Sequence, residues 1–229
     1  MLSSGSGGAA LQLPRSLPRG RHALPRDIVL VSQSERLVEA IVAVVAEKGY
    51  AAARVADIVA RAGVSRGTFY QQFRDKEDCF LAAYMAGSRS LFHAVETAGT
   101  DDADPLERLR AGTHAYLRTL EVMPAWSRAF LIDIRAVGAA EEPRREVHGW
   151  YVDLIQRWRQ GAAPLLGGHP IPDMAYEACV DAANEIVARV VERGAFEDLS
   201  SLDSPLLYIH LALLGFPDQA AAIPGGQHL

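Results

Sequence analysis

Cysteine is scarce in this 229-residue chain, with only Cys79 and Cys179, far apart in sequence. Two isolated thiols exclude a disulfide framework and a cysteine-rich zinc module, and both fall in helical patterns that read as buried free thiols. No apolar run approaches the ~20 residues a membrane helix needs. The opening stretch, MLSSGSGGAALQLPRSLPRG, has no apolar block of signal-peptide length, so a cytoplasmic protein with no membrane partner is expected. No alternating apolar and polar stretch suggests a β-strand, and the fold class expected is all-α. The sequence also lacks G-x-S-x-G, H-E-x-x-H, a P-loop and a dinucleotide fingerprint. His93, His114 and His148 have no tight ligand spacing. These absences argue against an enzyme, a metal site and a cofactor.

What is present is ordinary in amount and uneven in placement. Hydrophobic residues make up 49% and mean hydropathy is +0.03, enough to build a core. The net charge is −5, yet Leu13 to Lys76 sums to +5 and the remainder to −10. A basic head on an acidic body implies that only the head meets a polyanion. Lysine occurs only at Lys48 and Lys76; every other cation is arginine.

The chain divides at composition shifts. Residues 1–27 form a Gly/Ser-rich lead and a proline-punctuated basic arm with Arg15, Arg19, Arg21 and Arg26. From Ser32 a helical period sets in, burying Leu37, Val38, Ile41, Val44 and Val45 and closing at EKGY, where Gly49 takes the cap position. A short helix over Val55–Arg61 leads to Gly63, where a tight turn needs positive φ. Ser65 caps a third helix, and Asp75 with Asp78 opens a fourth. Longer helices are expected at about 76–97, 104–122, 124–138, 143–163, 173–193 and 203–215, with prolines near their starts. The chain therefore divides into a lead and arm at 1–27, a short-helix unit at 28–76, a long-helix domain at 77–217 and a tail at 218–229.

Helix, glycine turn and capped helix make the sequence form of a helix-turn-helix, whose second helix enters the DNA major groove. Phe69 and Phe73, four apart, pack inward, which turns Arg66, Tyr70, Gln71 and Gln72 outward. The longer string VADIVARAGVSRGTFYQQFRDKEDCF closely resembles the N-terminal signature of the TetR family of transcriptional regulators, from about Ser34 through Tyr84. The resemblance implies a homodimer that binds a double-stranded DNA operator and responds to a small molecule through its C-terminal domain. It places Arg66, Gly67 and Tyr70 at DNA-facing positions. Thr68 matches a phosphate-contacting hydroxyl and Lys76 a phosphate-binding lysine. Gln72 stands where the family often has histidine, and Arg54 is within reach of a phosphate. A helical ligand-binding protein that has lost operator binding is the alternative; Arg66, Tyr70, Lys76 and the arm speak against it.

In the acidic body, Trp126, Phe130 and Ile134 share one helix face, and Trp150, Leu154 and Trp158 another. With Phe92 and Tyr116 they are the expected lining of a pocket for an apolar or aromatic ligand, although such stripes also build plain core. His114, Arg118 and Asp133 are candidates for its polar contacts. Ala178, Ala182, Ile186 and Val190, then Leu206, His210 and Leu213, form two stripes suited to a four-helix dimer interface about a two-fold axis.

Overall fold

A computed structural model describes residues 26–99 and 103–224, with side chains from residue 32 onward. Every regular element among the described residues is helical. Helices α1 (Arg26–Lys48), α2 (Val55–Ala62) and α3 (Arg66–Gln72) form the N-terminal unit. The long α4 (Lys76–Glu96) leads from it into α5 (Pro105–Val122), α6 (Pro124–Leu131), α7 (Glu141–Leu166), α8 (Met174–Glu192), α9 (Asp203–Leu213) and α10 (Pro217–Ala221). The arm residues Arg15, Arg19 and Arg21 lie outside the described residues. The backbone of Arg26 opens α1 instead of belonging to an arm.

The first core joins the two halves of the molecule. Leu37, Ile41, Val44 and Val45 from α1 meet Ile58, Phe69, Phe73 and Phe80, and the same cluster continues into Ala129, Ile134, Val137 and Ala140. Two further cores lie in the C-terminal domain. One gathers Leu109, Tyr176, Leu211 and Phe216; the other gathers Leu117, Val187, Val191 and Leu199. Cys79 and Cys179 are buried and free, and burial pushes both thiols up to about 12.

Three boundaries differ from the sequence reading. The helix expected to run to residue 138 ends at Leu131 and tightens into two 3₁₀ turns, 133–136 and 138–140. Side chains three apart align in a 3₁₀ turn, and Ile134, Val137 and Ala140 are accordingly all buried. Helix α7 runs through Leu166, although Pro164 lies in its last turn. Its end is set instead by Gly167 in the left-handed conformation, φ 70°. The expected tail from residue 218 is helical as far as Ala221, with Ala220 and Ile223 buried against the second core.

Candidate DNA-binding surface and ligand cavity

Helix α3, the candidate recognition helix, is fixed by short-range bonds. Gly63 adopts φ 64° to close the turn after α2. Ser65 Oγ accepts from the Thr68 backbone N–H at 3.0 Å and pairs with the Thr68 hydroxyl at 2.9 Å. Phe69 is fully buried and Phe73 nearly so, which anchors one face. Arg66, Gly67, Tyr70 and Gln71 are all exposed; Gln72 is half-buried. The Arg66 guanidinium lies 5.8 Å from the centre of the Tyr70 ring.

The cations around this helix fall into two kinds. Lys48 is paired with Asp57 at 2.7 Å, which holds that carboxyl below its usual range. Arg61 is paired with Glu47, and Arg74 with Asp78 at 3.2 Å. Arg54 and Arg66 have no carboxylate partner among the described residues and are exposed. Arg54 precedes α2, where its backbone N–H donates to Asp57 at 3.1 Å.

Lys76 begins α4, where a cation opposes the helix dipole. The protein itself supplies its partner. Lys76 Nζ donates to the Tyr50 carbonyl at 2.7 Å and sits 4.1 Å from the centre of the Tyr50 ring. An ammonium has three donors, so two stay available to an outside anion. Gly67 has no such internal reason. A side-chain carbon there would meet nothing closer than Ser65 Oγ at 3.6 Å.

A cavity of about 600 Å³ opens between α4, α5, α7, α8 and α9. Leu154, Val180 and Trp158 supply apolar wall. Trp158 is fixed by donating from Nε1 to the Pro105 carbonyl at 2.7 Å. Tyr116 Oη donates to Asn184 Oδ1 at 3.1 Å. The charged residues Glu96, Arg108 and Arg157 stand at its exposed side.

Residues 37–83 match the family model for bacterial regulatory proteins of the tetR family. The N-terminal unit of the chain belongs to the tetR family. The transcriptional activator FasR of Mycolicibacterium smegmatis is 33% identical over 103 residues, 45% of each chain. The regulator EthR of the same organism is 26% identical over 158 residues, 65% of each chain. The match thus spans about half to two thirds of the length of these relatives. Among solved structures, the fatty acid degradation regulator FadR of Bacillus halodurans superimposes with a TM-score of 0.70 at 21% identity, covering 80% of this chain and 94% of that one. FadR of Bacillus subtilis, in complex with stearoyl-CoA, gives 0.70 at 20% identity, covering 78% and 97%. At these identities the structural likeness speaks for the fold.

The expected pocket residues separate. Tyr116, Leu154 and Trp158 line the cavity. Phe92 and Trp150 stand behind it, their rings 5.8 Å apart, with Phe92 5.4 Å from Tyr151. Trp126, Phe130 and Ile134 are a correction: they belong to the first core, beneath the DNA-binding unit. Gly87 of α4 admits the Trp126 and Phe130 rings, since a Cβ there would lie 2.1 Å from Phe130 and 2.8 Å from Trp126. Nor do the expected polar contacts line the cavity: His114 pairs with Asp203 at 2.8 Å and Arg118 with Glu121 at 2.9 Å. Asp133 stands beside Arg128, 3.9 Å away.

The two stripes assigned to a dimer separate likewise. Ala178 is exposed and Ala182 and Ile186 are half-buried, so an outer face of α8 remains open. Val190, Leu206 and His210 are a second correction, because each is buried inside the protomer. Leu213 is half-buried against the second core. Sequence reading missed Tyr151 and Asn184 as cavity residues and misplaced His210. Tyr151 sits beside Trp150 in a visibly apolar stripe, but Asn184 and His210 carried no signal.

Proposed function

We propose that the chain is a homodimeric DNA-binding transcriptional repressor that leaves a palindromic operator when a small, mainly apolar molecule fills the cavity. The observation that carries this reading is the recognition helix. It is anchored by buried Phe69 and Phe73 and offers Arg66, Gly67 and Tyr70 outward, with no carboxylate among the described side chains paired to Arg66. Arg66 near the helix start reads a base, most simply guanine through its O6 and N7 acceptors. Thr68, Tyr70, Gln72, Lys76 and Arg54 hold phosphates and set register without reading sequence. The outer face of α8, with Ala178, Ala182 and Ile186, pairs with its copy about a two-fold axis. Half-sites then lie about one helical turn apart or a multiple of it.

Ligand and operator are linked through α4. Its last turns, at Val95 and Glu96, border the cavity, while Phe80 near its start lies in the core beneath the recognition helix. A ligand that shifts α4 changes the distance between the two recognition helices. The FadR complex with stearoyl-CoA, whose acyl part is a long apolar chain, supports a cavity that takes an apolar chain. The proposed site of action is the cytoplasm, and no described helix is long and apolar enough to cross a membrane.

The test is a mobility-shift assay on the DNA upstream of the protein's own gene. Specific retardation is expected, and its loss in Arg66→Ala with retained folding. Equal affinity for that fragment and for random DNA would overturn operator recognition.

A further inference from the structure

The closed end of the cavity carries polar atoms that the protein does not use. Tyr151 Oη and His210 Nδ1 are both sealed from solvent without a hydrogen-bond partner among the described residues, and both residues line the cavity. His210 is only 8% exposed. Their neighbour Tyr116 already donates to Asn184 Oδ1 at 3.1 Å. Buried polar groups are nearly always paired, and two orphans beside one void indicate that an occupant completes them.

Their chemistry limits that occupant. A phenol donates a hydrogen bond, so Tyr151 calls for an acceptor oxygen. Burial lowers the His210 pKa to about 4 and pushes the Tyr151 phenol well above its usual range. Both groups are therefore neutral, and an ionised group brought beside them would bear the same desolvation with no counter-charge. The charged lining residues Glu96, Arg108 and Arg157 all stand at the exposed side, and Arg157 is tied to Glu96 at 3.3 Å.

Resting on the reading of this cavity as the ligand site, we propose that its inner end binds an uncharged oxygen of an otherwise apolar ligand. The ligand is a ketone, ester or alcohol rather than a carboxylate or an amine. Its oxygen accepts from the Tyr151 hydroxyl, with the neutral His210 imidazole alongside. Tyr151 touches Phe92 of α4 edge to face at 5.4 Å, so the polar end of the ligand presses towards the helix that leads to the DNA-binding unit.

The experiment titrates the full chain with 2-decanone, n-decane and decanoate at pH 7.5, following the emission of Trp158 in the cavity wall. The ketone should bind wild type about tenfold more tightly than the alkane, the worth of one good hydrogen bond, and decanoate should bind more weakly than the ketone. Tyr151→Phe should erase the ketone's advantage, leave the alkane unchanged and melt no lower than wild type, because it removes an unpaired hydroxyl. Equal binding of ketone and alkane, an unchanged ratio in Tyr151→Phe, or decanoate as the tightest probe overturns the proposal while the cavity remains a ligand site. If none of the three binds, the cavity reading falls and takes this inference with it.

Discussion

The two ends of this molecule leave polar groups unpartnered under opposite conditions. At the recognition helix, Arg54 and Arg66 face water, and hydration meets their needs until a polyanion arrives. In the cavity, Tyr151 Oη and His210 Nδ1 are dry, and each unmet group costs about 1–3 kcal/mol. An exposed cation is cheap to keep and attracts any phosphate, so affinity comes easily and selectivity must come from geometry. A dry hydroxyl is expensive to keep and answers only to a matched atom. On the proposed reading, the surface draws any polyanion and reads sequence only through the placement of Arg66, whereas the cavity selects by matching a dry polar atom.

The sharpest way to break this comparison is to move one turn around the recognition helix. Phe69→Ala should cost about 3–5 kcal/mol in urea denaturation, as for other buried aromatic truncations. Arg66→Ala, three residues earlier in sequence, should change stability by no more than about 0.5 kcal/mol. On the operator it should cost about 1–3 kcal/mol and relax preference at one base pair per half-site. If Arg66→Ala unfolds the protein, the two faces are not independent.

Next in size is the pH response of the dry region. His210 titrates near 6.5 when unfolded and at about 4 when folded. Between these values the unfolded state binds more protons, so stability falls as pH drops from 6.5 to 4 and this contribution is flat below 4. The loss should be on the order of 3 kcal/mol, read from urea midpoints across that window. His210→Leu should flatten the slope; an identical slope would assign it to other groups.

Two helical glycines sharpen the contrast further. Gly87→Ala gains helix propensity but drives a Cβ to within 2.1 Å of the Phe130 ring. A net destabilisation of about 1–3 kcal/mol is expected from overpacking, visible as a lowered melting temperature. Gly67→Ala has open space and should stabilise by up to about 1 kcal/mol, the smallest effect of the series. On the proposed reading it should nevertheless weaken operator binding, because a side chain there would stand between the helix backbone and DNA. Unchanged binding in the stabilised variant would remove Gly67 from the interface.

The N-terminal unit was legible because its determinants are local. A cap at Ser65, a turn at Gly63 and two phenylalanines four apart specify α3 within a dozen residues, and the structure follows them closely. Lys76 was half legible. The cost of a cation at a helix start was plain, but its partner Tyr50 lies 26 residues away. The stripe containing Trp126 and Phe130 was legible as apolar and not as to destination. A helical period marks the face that is buried, while the helix that buries it is set by packing angles that no local pattern encodes. Gly87 on α4 decided that destination by leaving room for both rings.

By itself, the sequence determined an all-helical chain, its N-terminal helix-turn-helix and the outward set around Arg66, because helix period, caps and turn glycines act over a few residues. Only the tertiary structure decided that Tyr151 and His210 share a cavity, that Val190 and Leu206 close the protomer, and that Lys76 already has a partner. Those outcomes depend on which side chains from distant segments compete for the same space, and close packing settles that competition only when every helix is in place.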